Sequence, residues 1–364
     1  MNLENVKRSA KRRHLLDICA CCAFVAAIGF SYCANFLIQA VVYQDSFWDL
    51  FFHFACPICA VVCLYIVECE KGYLSGFLCR QLPKAPIVAY AAPVIAALVG
   101  YIYCEKGISI LLLSTLAMAI APYAFRYCVE KALCLIVVEA VGFILLAVRL
   151  EDNISAMVVA FVVAAVLISA IPKLQWFHRE KYVKQKSRVA LAMLICAVLL
   201  LFFIEDSGVQ EAIIARSAGR PGLGSSLATD RICREVLANA KWIGAADVNY
   251  AIESVCVNRL FTLVLGTCGW LGVLPLLIAC VLVISSGIYI CRKSIRTRRY
   301  LAVAFMTLIA VQMISYILLC VGIDLFFPEI CPFFGEYFMN IAFLIMAMII
   351  LPPKKKKIMQ NNEK

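Results

Sequence analysis

Residues 15–42 read LLDICACCAFVAAIGFSYCANFLIQAVV, a run in which Asp17 is the one charged side chain. An α-helix rises about 1.5 Å per residue and the hydrocarbon core of a bilayer is about 30 Å thick, so this run is long enough to cross it. The basic start Lys7, Lys11, Arg12 and Arg13 leads directly into it. The run is too long for the apolar core of a cleaved leader, so it reads as a signal anchor and first spanning helix.

Outward from this run the same pattern recurs at 47–67, 86–103, 108–125, 132–149, 154–171, 188–205, 260–291, 299–323 and 333–351. Lipid offers no partner to backbone N–H and C=O groups, so each stretch is read as a helix that satisfies its own backbone. The fold class is therefore all-α, a polytopic membrane protein of about ten transmembrane helices. Composition agrees: 64% of residues are hydrophobic and 16% charged, which excludes a water-soluble globule. The stretch 260–291 is over-long for one span and includes a buried or tilted segment near its start. Pro57, Pro93 and Pro122 mark kinks rather than sites.

Orientation follows from Lys and Arg. With the N-terminus inside, the basic residues of the tail, then Lys71, Arg80, Lys84, Arg126, Lys131, Lys173–Arg188, Arg292–Arg299 and Lys354–Lys357 all fall on the cytoplasmic side. The short outer loops keep only Lys106 and Arg149. The net charge of +11 thus needs no nucleic acid as a partner. Its partner is the bilayer, with Lys354–Lys357 in the basic cytoplasmic tail 352–364 able to meet anionic headgroups. Both termini of this multi-pass protein are placed in the cytoplasm. The whole chain, 1–364, is read as one integral membrane domain.

One loop is large enough for chemistry outside the hydrocarbon, residues 206–258 between the seventh and eighth helices, on the external face. Its run Gly219-Arg-Pro-Gly-Leu-Gly224 lacks the preceding strand and the Gly-Lys-Ser/Thr ending of a phosphate loop. Its cations Arg216, Arg220, Arg231 and Arg234 suit a lipid-linked diphosphate, held through bidentate contacts, or are ordinary loop charge balanced by nearby acids. Ile232, Val236 and Leu237 recur on one face of a candidate helix that could lie along the outer leaflet.

Cys19 with Cys22 and Cys56 with Cys59 have the CxxC spacing, but they sit inside predicted spans with no accompanying His pattern, so they read as small apolar residues and no metal site is assigned. Cys233 and Cys256 are the one pair in the outer loop able to form a disulfide. Glu139, in the middle of the fifth helix, is the clearest intramembrane charge, either functional or a protonated acid bonded to a neighbouring helix. His53, close to Asp49, reads as an interfacial polar residue.

Ten helices, cytoplasmic termini and one large external loop resemble the SEDS family (the FtsW, RodA and SpoVE proteins) of bacterial cell division, elongation and sporulation. Local sequence carries the resemblance over about 230–350. REVLANAKWIG at 234–244 is similar to the family segment ending in a Gly-containing turn. LFTLVLGTCGWLG at 260–272 is similar to its aromatic-rich entry to the eighth helix. CPFFG at 331–335 stands where the family has Pro-Phe before the last helix, without the Ser-Tyr-Gly-Gly tail, and EDNIS at 151–155 resembles the start of its sixth helix. Counting back from Gly269 puts Asn258 where the family has its essential Asp.

The resemblance implies peptidoglycan synthesis: polymerisation of glycan strands from lipid II, an undecaprenyl-diphosphate-linked precursor, together with a class B penicillin-binding protein. Such a transfer needs a carboxylate to activate the attacking hydroxyl and cations to hold the diphosphate. No cofactor is expected, although an active enzyme could use a divalent cation. Glu253 and Asp247 are the acids nearest the expected position, beside Asn258 itself. Three classes stay open: a divergent polymerase, a non-catalytic SEDS-like scaffold or regulator, and an unrelated flippase or transporter of lipid-linked sugars. The last would call for a buried charge such as Glu139 and for internal repeats, of which none is convincing.

Overall fold

The computed structural model describes residues 3–42, 47–77, 107–124, 131–140, 162–168, 224–247, 260–294, 298–321, 331–334 and 337–352. Among these there is no strand. The helices are α1 (Leu3–Val42), α2 (Phe47–Lys71), the short α3 (Tyr73–Gly76), α4 (Gly107–Ala124), α5 (131–140), α6 (162–168), α7 (Gly224–Asn239), α8 (Leu260–Cys268), α9 (Trp270–Lys293), α10 (Arg299–Cys320) and α11 (Tyr337–Ile350). The stretches expected at 86–103 and 188–205 lie outside the described residues; each of the others contains helix. Among the described residues, three segments are long and apolar enough to cross a membrane, His14–Ile38, Trp270–Lys293 and Arg299–Leu318.

Burial follows helical periodicity. On α1 the residues Phe24, Ala27, Ile28, Ser31, Tyr32 and Asn35 form one buried stripe, while Val25, Phe30 and Leu37 stay exposed. That stripe packs along α9. Close approach is permitted by Gly287, where an added Cβ would collide with the Met306 sulfur of α10 and come within 3.0 Å of the Phe24 ring. With no hydrophobic drive between helices in lipid, such small-residue contacts are what dispersion uses to hold a bundle together.

Polar contacts sort the helix ends. Lys293, at the end of α9, bonds Asp17 near the start of the apolar span His14–Ile38 of α1, and the Tyr289 hydroxyl donates to the same carboxylate at 3.0 Å. Arg298, just before α10, pairs with Glu68 near the end of α2; their side chains are only 2% and 8% exposed. The Leu74 amide donates to the other Glu68 oxygen at 2.8 Å, and the Tyr65 hydroxyl reaches the Pro352 carbonyl beyond α11 at 3.1 Å. The Asp17 level of α1, the ends of α2, α9 and α11, and the start of α10 thus gather at one end of the bundle. The opposite end carries the junction of α7, α8 and α9.

At that junction the over-long stretch 260–291 breaks. Gly269 has φ 76° and ψ −170°, a conformation open essentially to glycine alone, and it divides α8 from α9. The buried segment anticipated near the start of the stretch is α8.

Candidate functional site

Breaking a helix leaves carbonyls unpaired at one end and amides unpaired at the next start. Residues 241–246 supply both partners. The Lys241 and Trp242 carbonyls accept from the amides of Trp270 and Leu271 at 3.0 and 3.1 Å, capping the start of α9. The Gly244 and Ala246 amides donate to Cys268 and Gly266 at 3.3 and 2.8 Å, capping the end of α8. A Cβ at Gly269 would stand 2.5 Å from the Lys241 carbonyl oxygen, so the close approach of this loop also requires glycine. Below the loop, Ile232, Cys233 and Val236 of α7 pack with Ala246, Leu263, Leu265 and Val273.

The start of α8 is tied to α10. The Leu260 amide donates to the Tyr316 hydroxyl at 2.8 Å, and the Thr262 hydroxyl donates to the Cys320 carbonyl at 2.8 Å. The Phe261 ring meets Tyr316 and Phe334 edge-on, both at 5.5 Å between centroids. Phe334 belongs to the buried turn 331–334, closed by its amide bonding the Cys331 carbonyl at 3.1 Å. Within that turn Phe333 adopts φ 71°, rare for a bulky side chain, and its fully buried ring packs against Phe343 of α11. Two segments far apart in sequence, 260–272 and 331–334, therefore meet at one place.

The fold is shared with a solved structure. The similar chain comes from "Structural coordination of polymerization and crosslinking by a peptidoglycan synthase complex", with a TM-score of 0.58 over 90% of this chain and 95% of that one, at 14% sequence identity. No protein-family model and no curated protein sequence matches. At this identity the likeness is one of fold.

Of the residues singled out by sequence, Asn258, Glu253, Arg216 and Arg220 lie outside the described residues, as does Cys256. The described chain resumes two residues beyond Asn258, at the Leu260–Tyr316 contact. Arg231 and Arg234 are on α7, with Arg234 exposed. Asp247 bonds Lys241 at 2.8 Å and its side chain is 80% exposed. The apolar face of α7 is covered by α8 and the loop, not by the outer leaflet as its periodicity suggested. Periodicity finds an apolar face but cannot tell lipid from a neighbouring helix. Glu139 is buried on α5, and among the described residues no cation neutralises it.

Sequence reading missed the Glu68–Arg298 pair and Tyr316. Arg298 counted only as part of the basic run Arg292–Arg299, and Glu68, one residue past the span 47–67, was not singled out; the signal available was a carboxylate at a helix end beside a short basic connection. Tyr316 carries no signal of its own inside an apolar run.

Proposed function

We propose that the chain is a SEDS-like membrane protein of bacterial peptidoglycan synthesis that handles lipid II at the α7–α8–α10 junction. The observation that carries this reading is the meeting of 260–272 and 331–334, the two C-terminal segments that resemble the family, in a fold shared with a chain of a peptidoglycan synthase complex. In this reading the loop 206–258 is external and both termini are cytoplasmic. Arg216, Arg220, Arg231 and Arg234 hold the diphosphate, and a class B penicillin-binding protein is the partner.

Within that reading a binding or scaffolding role is favoured over vigorous polymerisation. Asn258 replaces the expected carboxylate, and Asp247 is an exposed acid already engaged by Lys241, a poor environment for a general base, which benefits from partial burial. The test is incubation of the purified protein with labelled lipid II, alone and with its penicillin-binding protein. Specific binding with weak or absent glycan ladders is expected. Failure to bind lipid II under either condition would overturn the proposal, and transport of lipid-linked sugar by reconstituted protein that is abolished in Glu139→Gln would replace it with the transporter reading.

A further inference from the structure

The capping loop carries two large apolar side chains that no neighbour among the described residues covers: Trp242 is 70% and Ile243 73% exposed. Their backbone is pinned. Four hydrogen bonds hold residues 241–246 to α8 and α9, and the close approach at Gly269 fixes the distance, so the backbone that presents the two side chains is held in place by both helices.

Depth follows from α9. Its 24 residues span about 36 Å, more than the roughly 30 Å of hydrocarbon and less than the 40–45 Å that includes both headgroup layers. Arg292 and Lys293 are exposed at its far end, and such cations keep their charge in a headgroup layer. Trp270 and Leu271, with the loop bonded to them, therefore stand at the opposite interface. Lateral position follows from the exposed apolar stripe Leu271, Ile278, Val281 and Ile288, the lipid-facing side of α9. Leu271 belongs to that stripe and also donates its amide to the Trp242 carbonyl, so the Trp242–Ile243 patch continues the lipid-facing surface past the end of the helix.

We propose that Trp242 and Ile243 form a wedge seated in the lipid headgroup layer opposite Arg292 and Lys293, with the bilayer surface itself as the occupant. An indole has an apolar body and one N–H donor, which suits the boundary between acyl chains and water. A docking face for a soluble domain would stand clear of the membrane, whereas this patch runs on from the lipid-facing stripe. The wedge fixes the depth of the α7–α8–α10 junction relative to the leaflet. It holds whether or not the lipid II reading does.

The test uses the full chain in nanodiscs of phosphatidylcholine and phosphatidylglycerol without any other protein, so its outcome does not depend on lipid II. The difference in emission between the protein and Trp242→Phe isolates one indole of the four. Lipids brominated near the glycerol end of the acyl chain should quench that component at least twofold more than lipids brominated near the chain terminus, and aqueous iodide should quench it weakly. A Trp242 component untouched by either brominated lipid and quenched by iodide like free indole would overturn the proposal and leave the patch to a protein partner. Because the side chain is exposed, Trp242→Phe should retain the thermal midpoint of the parent. Should it not, the same comparison on Ile243→Trp, which adds an indole at the neighbouring position, reads the depth independently.

Discussion

Asn258 presents an amide of nearly the same shape as the carboxylate it would replace, but it does not take up a proton at neutral pH. General-base catalysis contributes on the order of a hundred- to ten-thousandfold. Asn258→Asp should therefore create or raise lipid II polymerisation, read as glycan ladders on gels, while Asp247→Asn leaves it unchanged. A wild-type chain that polymerises well and loses that activity in Glu253→Gln would show that the acid was misplaced. Gly269 allows a second test at this scale. Gly269→Ala both forces a side chain into a glycine-only conformation and drives a methyl against the Lys241 carbonyl, so a loss of roughly 2–4 kcal/mol is expected, measured as a lowered unfolding midpoint in detergent. Gly269 was visible in sequence as the glycine before Trp270, whereas its reason, the returning loop at 2.5 Å, was not. Asp247 was visible as an acid near the expected position, yet its engagement with Lys241 depends on the fold of the loop between them.

Among elements, the Glu68–Arg298 pair joins α2 to α10 in surroundings that exclude water. Removing one partner strands a buried charge, so Arg298→Met or Glu68→Leu alone should cost roughly 3–5 kcal/mol, whereas the double change recovers most of it. A double-mutant cycle on unfolding midpoints measures this; additive losses would show that the pair does not couple the helices. Long helices were legible because apolar length is a local property, but the buried face of α1 was not, since Ser31 and Asn35 lie within its stripe while Val25, Phe30 and Leu37 lie outside it. The break at 269 was half legible, as excess length without a position. The aromatic contact of Phe261 with Phe334 was not legible, since only the packing of α10 brings those rings together.

For the whole molecule, helix ends from both halves of the sequence gather at one end of the bundle, and the capped junction lies at the other. In the proposed topology, which rests on the positive-inside bias, residues 206–258 are external, so Ser226→Cys and Ser254→Cys should react with a membrane-impermeant thiol reagent in intact cells. Protection at both until lysis would invert the topology. The all-helical architecture came through the sequence because the bilayer is a uniform solvent with a known thickness. The candidate site did not come through in the same detail, because it is assembled from α7, α8, α10 and the turn 331–334, whose adjacency no local pattern encodes.

The broken helix also bears on how the chain is made. α9 is long enough to enter a membrane unaided, but α8 has nine residues, about 14 Å of helix, less than half the hydrocarbon thickness. Among the described residues its terminal carbonyls at Gly266 and Cys268 find their donors in Ala246 and Gly244. In the proposed topology those donors lie on the external side, and the loop that carries them is also held by the Trp270 and Leu271 amides of α9. In that topology α8 is expected to leave the ribosome before α9 and to settle after it, so that the order of assembly departs from the order of translation.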